Sequence, residues 1–75
     1  MTPLDVAYRY GRTPGMAEMR ALSALTEVYG IRKVSFEEAT NTVRVEFDAS
    51  RMNEEEVAAL LRRAGLDLTE RLTLA

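Results

Sequence analysis

Met16 and Met19 carry the softest donor atoms in the chain, two thioethers three residues apart in the stretch Gly11-Arg12-Thr13-Pro14-Gly15-Met16-Ala17-Glu18-Met19. At that spacing, where a loop enters a helix, two side chains converge on one side of the first turn and could hold a soft ion such as Cu(I) weakly. Nothing stronger supports them. The chain has no Cys and no His, which excludes a thiolate site, an imidazole site and a disulfide. Packing also accounts for both residues, Met19 on an apolar helical stripe and Met16 at an exposed loop position.

Other candidate chemistry is thinner. Glu18 and the run Glu54-Glu55-Glu56 could attract a hard cation, but acidic residues at a helix start already answer the positive end of the helix dipole. Gly11, Gly15 and the free N–H groups of a helix start, with Arg12 beside them, could cradle a small anion. Against that, Pro14 removes one N–H and Thr13 is placed to cap another. Ser23, Ser35 and Ser50 have no evident base, so the expectation is a non-enzyme with no cofactor. Tyr10 is the aromatic nearest the loop. With Arg12, Thr13, Gly15 and Met16 it forms the set of candidate contacts to a partner or ligand.

The elements that must position this loop follow from periodicity. Leu4 to Tyr10 alternates apolar with polar or small residues and reads as a strand over about 4–10. Thr13 as cap and Pro14 at the first helical position predict a helix over about 14–29, ended by Gly30. Its core stripe would be Met19, Leu22, Leu25, Val28 and Tyr29, with Ala21 and Ala24. Two further strands, over about 32–37 and 43–48, are joined by a turn in which Asn41 tolerates positive φ. Asn53 as N-cap, Glu56 three residues on and a Met52–Val57 staple start a second helix over about 54–64, and Gly65 stops it. A last strand spans about 66–74, with Glu70 on the apolar parity as a point where it frays or leaves the core.

The order β-α-β-β-α-β, with right-handed crossovers, predicts an α+β ferredoxin-like sandwich: a four-stranded antiparallel sheet with both helices on one face. The open face would carry Asp5, Ala7, Arg9, Lys33, Ser35, Glu37, Arg44, Glu46 and Asp48, a mixed-charge surface without aromatic platforms for RNA. Strands two and four would be the edges, available to extend a sheet across a homodimer.

Composition bounds the remainder. Seventy-five residues form one domain, 1–75, with a small core. A net charge of −2 with mixed signs argues against nucleic acid as a partner. No apolar run is long enough to span a membrane and no export signal is visible, so a cytoplasmic protein is expected.

The spacing resembles the heavy-metal-associated domain family of metallochaperones and metal-pumping ATPases, whose loop reads Gly-Met-Thr-Cys-x-x-Cys before a helix. Pro14 and Ala17 stand where the two cysteines would fall. Ala24-Leu25 and Gly30-Ile31 match the family's Ala-Leu and Gly-Val pairs, the latter sixteen residues after the first cysteine position. Val34, Thr40-x-x-Val43-x-Val45-x-Phe47-Asp48 and Ala64-Gly65-Leu66 resemble its second strand, hairpin and closing turn. The resemblance implies the sandwich fold and, with both thiols absent, a module that has lost its thiolate metal site. No metal site is expected, with Met16 and Met19 as weak candidates. A non-catalytic protein-interaction or accessory role follows, toward an unknown protein partner or a second copy. Pro14-Gly15-Met16 also resembles the opening of the ACT domains, which implies an amino-acid or anion ligand instead. Weak soft-metal binding or transport through Met16 and Met19 is the third reading.

Overall fold

The computed structural model of the protein describes residues 3–72. Its elements run β1 (Pro3–Tyr10), α1 (Met16–Ala24), a 3-10 turn (Leu25–Glu27), β2 (Ile31–Glu37), a second 3-10 turn (Glu38–Thr40), β3 (Thr42–Asp48), α2 (Glu54–Arg63) and β4 (Leu68–Leu72). The strands order as β2-β3-β1-β4 and every neighbouring pair is antiparallel. This is the ferredoxin-like sandwich. β2 and β4 are its edges.

Alternation puts Val6, Tyr8, Val43, Val45 and Phe47 on one side of the sheet, in register as Val6 opposite Val45 and Tyr8 opposite Val43. Leu22 and Leu25 from the α1 region and Val57, Ala58 and Leu61 from α2 meet them in one buried cluster, so both helices cover that face. Each large aliphatic side chain buried there is worth roughly 1.5–3 kcal/mol, which is the main stabilising term in a chain this short.

α2 has a complete start and stop. The Asn53 side chain accepts from the Glu56 N–H at 2.9 Å, and Glu56 accepts from the Asn53 N–H at 3.2 Å. Met52 and Val57, on either side of that cap, are both buried. At the far end the Leu66 N–H donates to the Leu61 carbonyl and the Gly65 N–H to the Arg62 carbonyl, a Schellman closure with Gly65 at φ +105°.

α1 departs from the sequence expectation of 14–29. Gly15, not Thr13, is the residue at its cap, and the helix starts at Met16. Glu18 supplies the missing partner by accepting from the Gly15 N–H at 3.1 Å. Pro14 without an N–H, followed by a glycine of poor helix propensity, delays the start until Glu18 can reach back. The other end tightens into the 3-10 turn, where the Thr26 hydroxyl bonds back to the Ser23 carbonyl at 2.9 Å, and Val28 is already extended. Tyr29 therefore leaves the stripe assigned to it. It is 71% exposed, with the Arg51 guanidinium 4.1 Å above its ring.

Two residues expected on the open face are buried. Asp48 is buried, its carboxylate accepting from the Ser50 N–H, the Ser50 hydroxyl and Arg51 Nε, so it organises the turn after β3. Ala7 keeps its place on the open face but is covered between Arg44 and Leu72, its partners on either side. β4 begins at Leu68 instead of 66, because Leu66 belongs to the Schellman closure and Asp67 accepts from the Gly11 N–H. Thr73 and Leu74 lie outside the described residues. A bulge at Thr69, whose hydroxyl donates to the Arg9 carbonyl at 3.1 Å, takes that residue out of the register and flips the strand's parity, so Leu68 packs on the core while Glu70 sits opposite Arg9 on the open face. That flip explains a charged residue at an apolar parity.

Candidate functional site at the loop before the first helix

The loop 11–15 is fixed at its start. The Tyr10 N–H donates to the Asn41 carbonyl and the Gly11 N–H to the Asp67 carbonyl, each at 2.9 Å, so the hairpin turn and the end of α2 flank it. Asn41 takes φ +50°, the conformation that lets its carbonyl face β1 across the turn. Glu18 fixes the other end, because its side chain lies against Gly65 as well as on the Gly15 N–H. The two helices are thereby joined through one carboxylate side chain.

Of the candidate residues, the fold brings Gly15 and Met16 together with Pro14, Met19, Arg20 and Ser23 around a shallow groove of about 430 Å³. Met16 is 77% exposed, while Met19 is half-buried against the core. Arg12 and Thr13 are exposed and do not line the groove. Ala17 is exposed in the first turn of α1. Tyr10, the candidate contact nearest the loop, is a core residue, as the parity it shares with Val6 allows: it is 2% exposed and meets Phe36 edge-on, with ring centroids 6.1 Å apart. Burial pushes its phenol above the ordinary value, with Glu38 adding to the shift.

The chemistry available here is limited by donor type. Pro14 offers no donor side chain and Ala17 a methyl group, which leaves the Met16 and Met19 thioethers as the soft atoms on the groove. Among the described residues, no group of three or more His, Cys, Asp or Glu side chains is gathered to hold a metal ion. An anion at the helix start would meet the Glu18 carboxylate, which accepts from the Gly15 N–H and brings negative charge to that position. The role of Glu18 was accessible in the sequence as an acidic residue three positions after a possible cap. Its contact with Gly65 had no local signal.

No protein-family model matches the sequence, and no curated protein is similar to it in sequence. Solved structures are similar. Oxidised MerP from Ralstonia metallidurans CH34 superposes with a TM-score of 0.72 at 20% identity, over 92% of this chain and 97% of that one. A copper binding domain from HMA7, a P-type ATPase, gives 0.73 at 24% identity, over 92% and 93%. The yeast copper transporter domain Ccc2A, solved in apo and Cu(I)-loaded states, gives 0.72 at 18% identity, over 95% and 97%. This chain shares the fold of these three domains. Identities this low establish that fold and leave the activity to be argued from the chain's own residues. No helix among the described residues is long and apolar enough to cross a membrane.

Proposed function

We propose that this chain is a heavy-metal-associated module that has lost its thiolate site and acts as a non-catalytic, cytoplasmic protein-interaction or accessory domain. The observation that carries the reading is the loop itself. Pro14 and Ala17 stand at the positions where the family resemblance puts cysteines, in a chain with no Cys or His, on a scaffold that shares the fold of MerP and of two copper-protein domains. In place of donors the loop presents Met16 at 77% exposure beside Pro14 and Met19, and this exposed thioether and its groove are where we place the contact with another protein. The test is a titration with Cu(I) and with Zn(II), following the Met16 and Met19 methyl signals. Neither metal is expected to move them at micromolar protein, and saturable binding in that range would overturn the reading.

A second reading, weak copper handling through Met16 and Met19, is favoured by one observation: both thioethers line the same groove. The same titration separates the two, since a thioether pair would respond to Cu(I) and leave Zn(II) inert.

A further inference from the structure

β2 is an edge strand, and its residues form a charge palindrome: Lys33-Val34-Ser35-Phe36-Glu37 reads positive, apolar, small, apolar, negative about Ser35. We propose that this edge pairs with the same edge of a second copy, antiparallel, with Ser35 opposite Ser35, to make a continuous eight-stranded sheet. The inference rests on the reading of the chain as an interaction module and names its partner.

The register follows from sheet geometry. Residues directly opposite each other in an antiparallel pair lie on the same face, so only every second register keeps Val34 and Phe36 on the helix side of both copies. Among these, the register centred on Ser35 sets Lys33 of each copy opposite Glu37 of the other, and Val34 opposite Phe36, each pairing occurring twice by symmetry. Centring on Val34 or on Phe36 destroys the Lys33–Glu37 match. Lys33 and Glu37 are both exposed, and neither makes an ion pair among the described residues, so both charges are available.

The helix face needs the same occupant. Val34 and Phe36 are only partly buried although they pack on the core, and with Met19, Leu22, Ser23 and Thr26 they line a groove of about 340 Å³ between α1 and β2. This groove shares Met19 and Ser23 with the loop groove, so the apolar trough runs from the loop to the edge strand. A second copy across the two-fold axis brings its own Val34 and Phe36 to that trough. Charges on an edge normally discourage pairing, and here their opposite signs about Ser35 discriminate in favour of the chain's own copy.

The test uses light scattering and sedimentation on the full chain from about 10 μM to about 1 mM, a range that captures a weak dimer. The wild type is expected to shift from monomer to dimer. Lys33→Glu alone and Glu37→Lys alone each set like charges opposite one another and should weaken the dimer at least about tenfold. Mixing the two variants in equal amounts restores both opposite-charge pairs and should give a heterodimer, as the Lys33→Glu/Glu37→Lys double variant should give a homodimer. Circular dichroism melts confirm that each variant is folded. A wild type that stays monomeric throughout, or a dimer indifferent to these substitutions, overturns the proposal. A monomer leaves the interaction reading standing with an outside partner, whereas tight metal binding removes that reading without touching the dimer measurement.

Discussion

Gly65→Ala should be among the most damaging conservative substitutions in the chain, through two separable causes. Gly65 sits at φ +105°, where an L-residue is strained by roughly 1–3 kcal/mol. Its added Cβ would also fall 2.6 Å from Glu18 Cγ. That atom is in the middle of the side chain, so Glu18 has to change rotamer and give up its 3.1 Å bond from the Gly15 N–H, worth about 0.5–1.5 kcal/mol. The sum is about 2–4 kcal/mol, equivalent to a fall in Tm of roughly 10–25 °C for a domain of this size. Urea denaturation of a double-mutant cycle separates the causes. In a Glu18→Ala background the clash is gone, so Gly65→Ala should cost about 1 kcal/mol less than in the wild type. A single variant within about 0.5 kcal/mol of the wild type would refute the strain argument, being the size of an ordinary surface change. An unchanged cost in the Glu18→Ala background would refute the contact between the helices.

Asp48→Ala should destabilise by about 2–4 kcal/mol, because it leaves the Ser50 N–H, the Ser50 hydroxyl and Arg51 Nε without their common acceptor at a buried position; a melt shifted by less than about 5 °C would count against that role. Tyr8 predicts an alkaline limit. Burial first, then Glu54, pushes its phenol above the ordinary value of 10.0, so the folded state holds the proton more tightly. That stability is fully present below the unfolded value and is lost as pH rises through the folded one. Tyr8→Phe should flatten the loss of stability between about pH 10 and 12 in denaturation curves, and an unchanged slope would show that another group sets the limit.

What the sequence makes legible here is what neighbours in the chain decide. Val43, Val45 and Phe47 alternate because β3 has one buried face, and Asn53 with Glu56, or Gly65 after Arg63, are local devices that work wherever the helix is placed. The misplacements share a different physical origin. Tyr29 continues the apolar spacing of α1, but a 3-10 turn at Leu25–Glu27 rotates it away from the core and onto Arg51. Asp48 continues the polar parity of β3, yet the turn that follows draws its carboxylate inward. Glu70 breaks the parity of β4 until the bulge at Thr69 is known. Each depends on where a second segment sits, which one-dimensional periodicity does not contain.

The candidate site divides along the same line, and the division bears on how a metal-type scaffold could change its use. Donor chemistry was decided by composition, since no arrangement of Pro14 and Ala17 can supply a thiolate. The fate of the loop was decided by tertiary contacts: Tyr10 turned inward against Phe36, Met16 left outward, and Glu18 placed on the Gly15 N–H and against Gly65. In this arrangement the loop is braced by the protein's own carboxylate side chain. Bracing of that kind ties the loop to both helices while Met16 beyond it stays exposed next to Pro14. The apolar trough then continues from Met16 and Met19 toward Phe36 and the β2 edge. On the proposed reading, an edge strand beside a shallow apolar groove suits another polypeptide chain better than an ion, because main-chain pairing and shallow apolar burial need length more than donors.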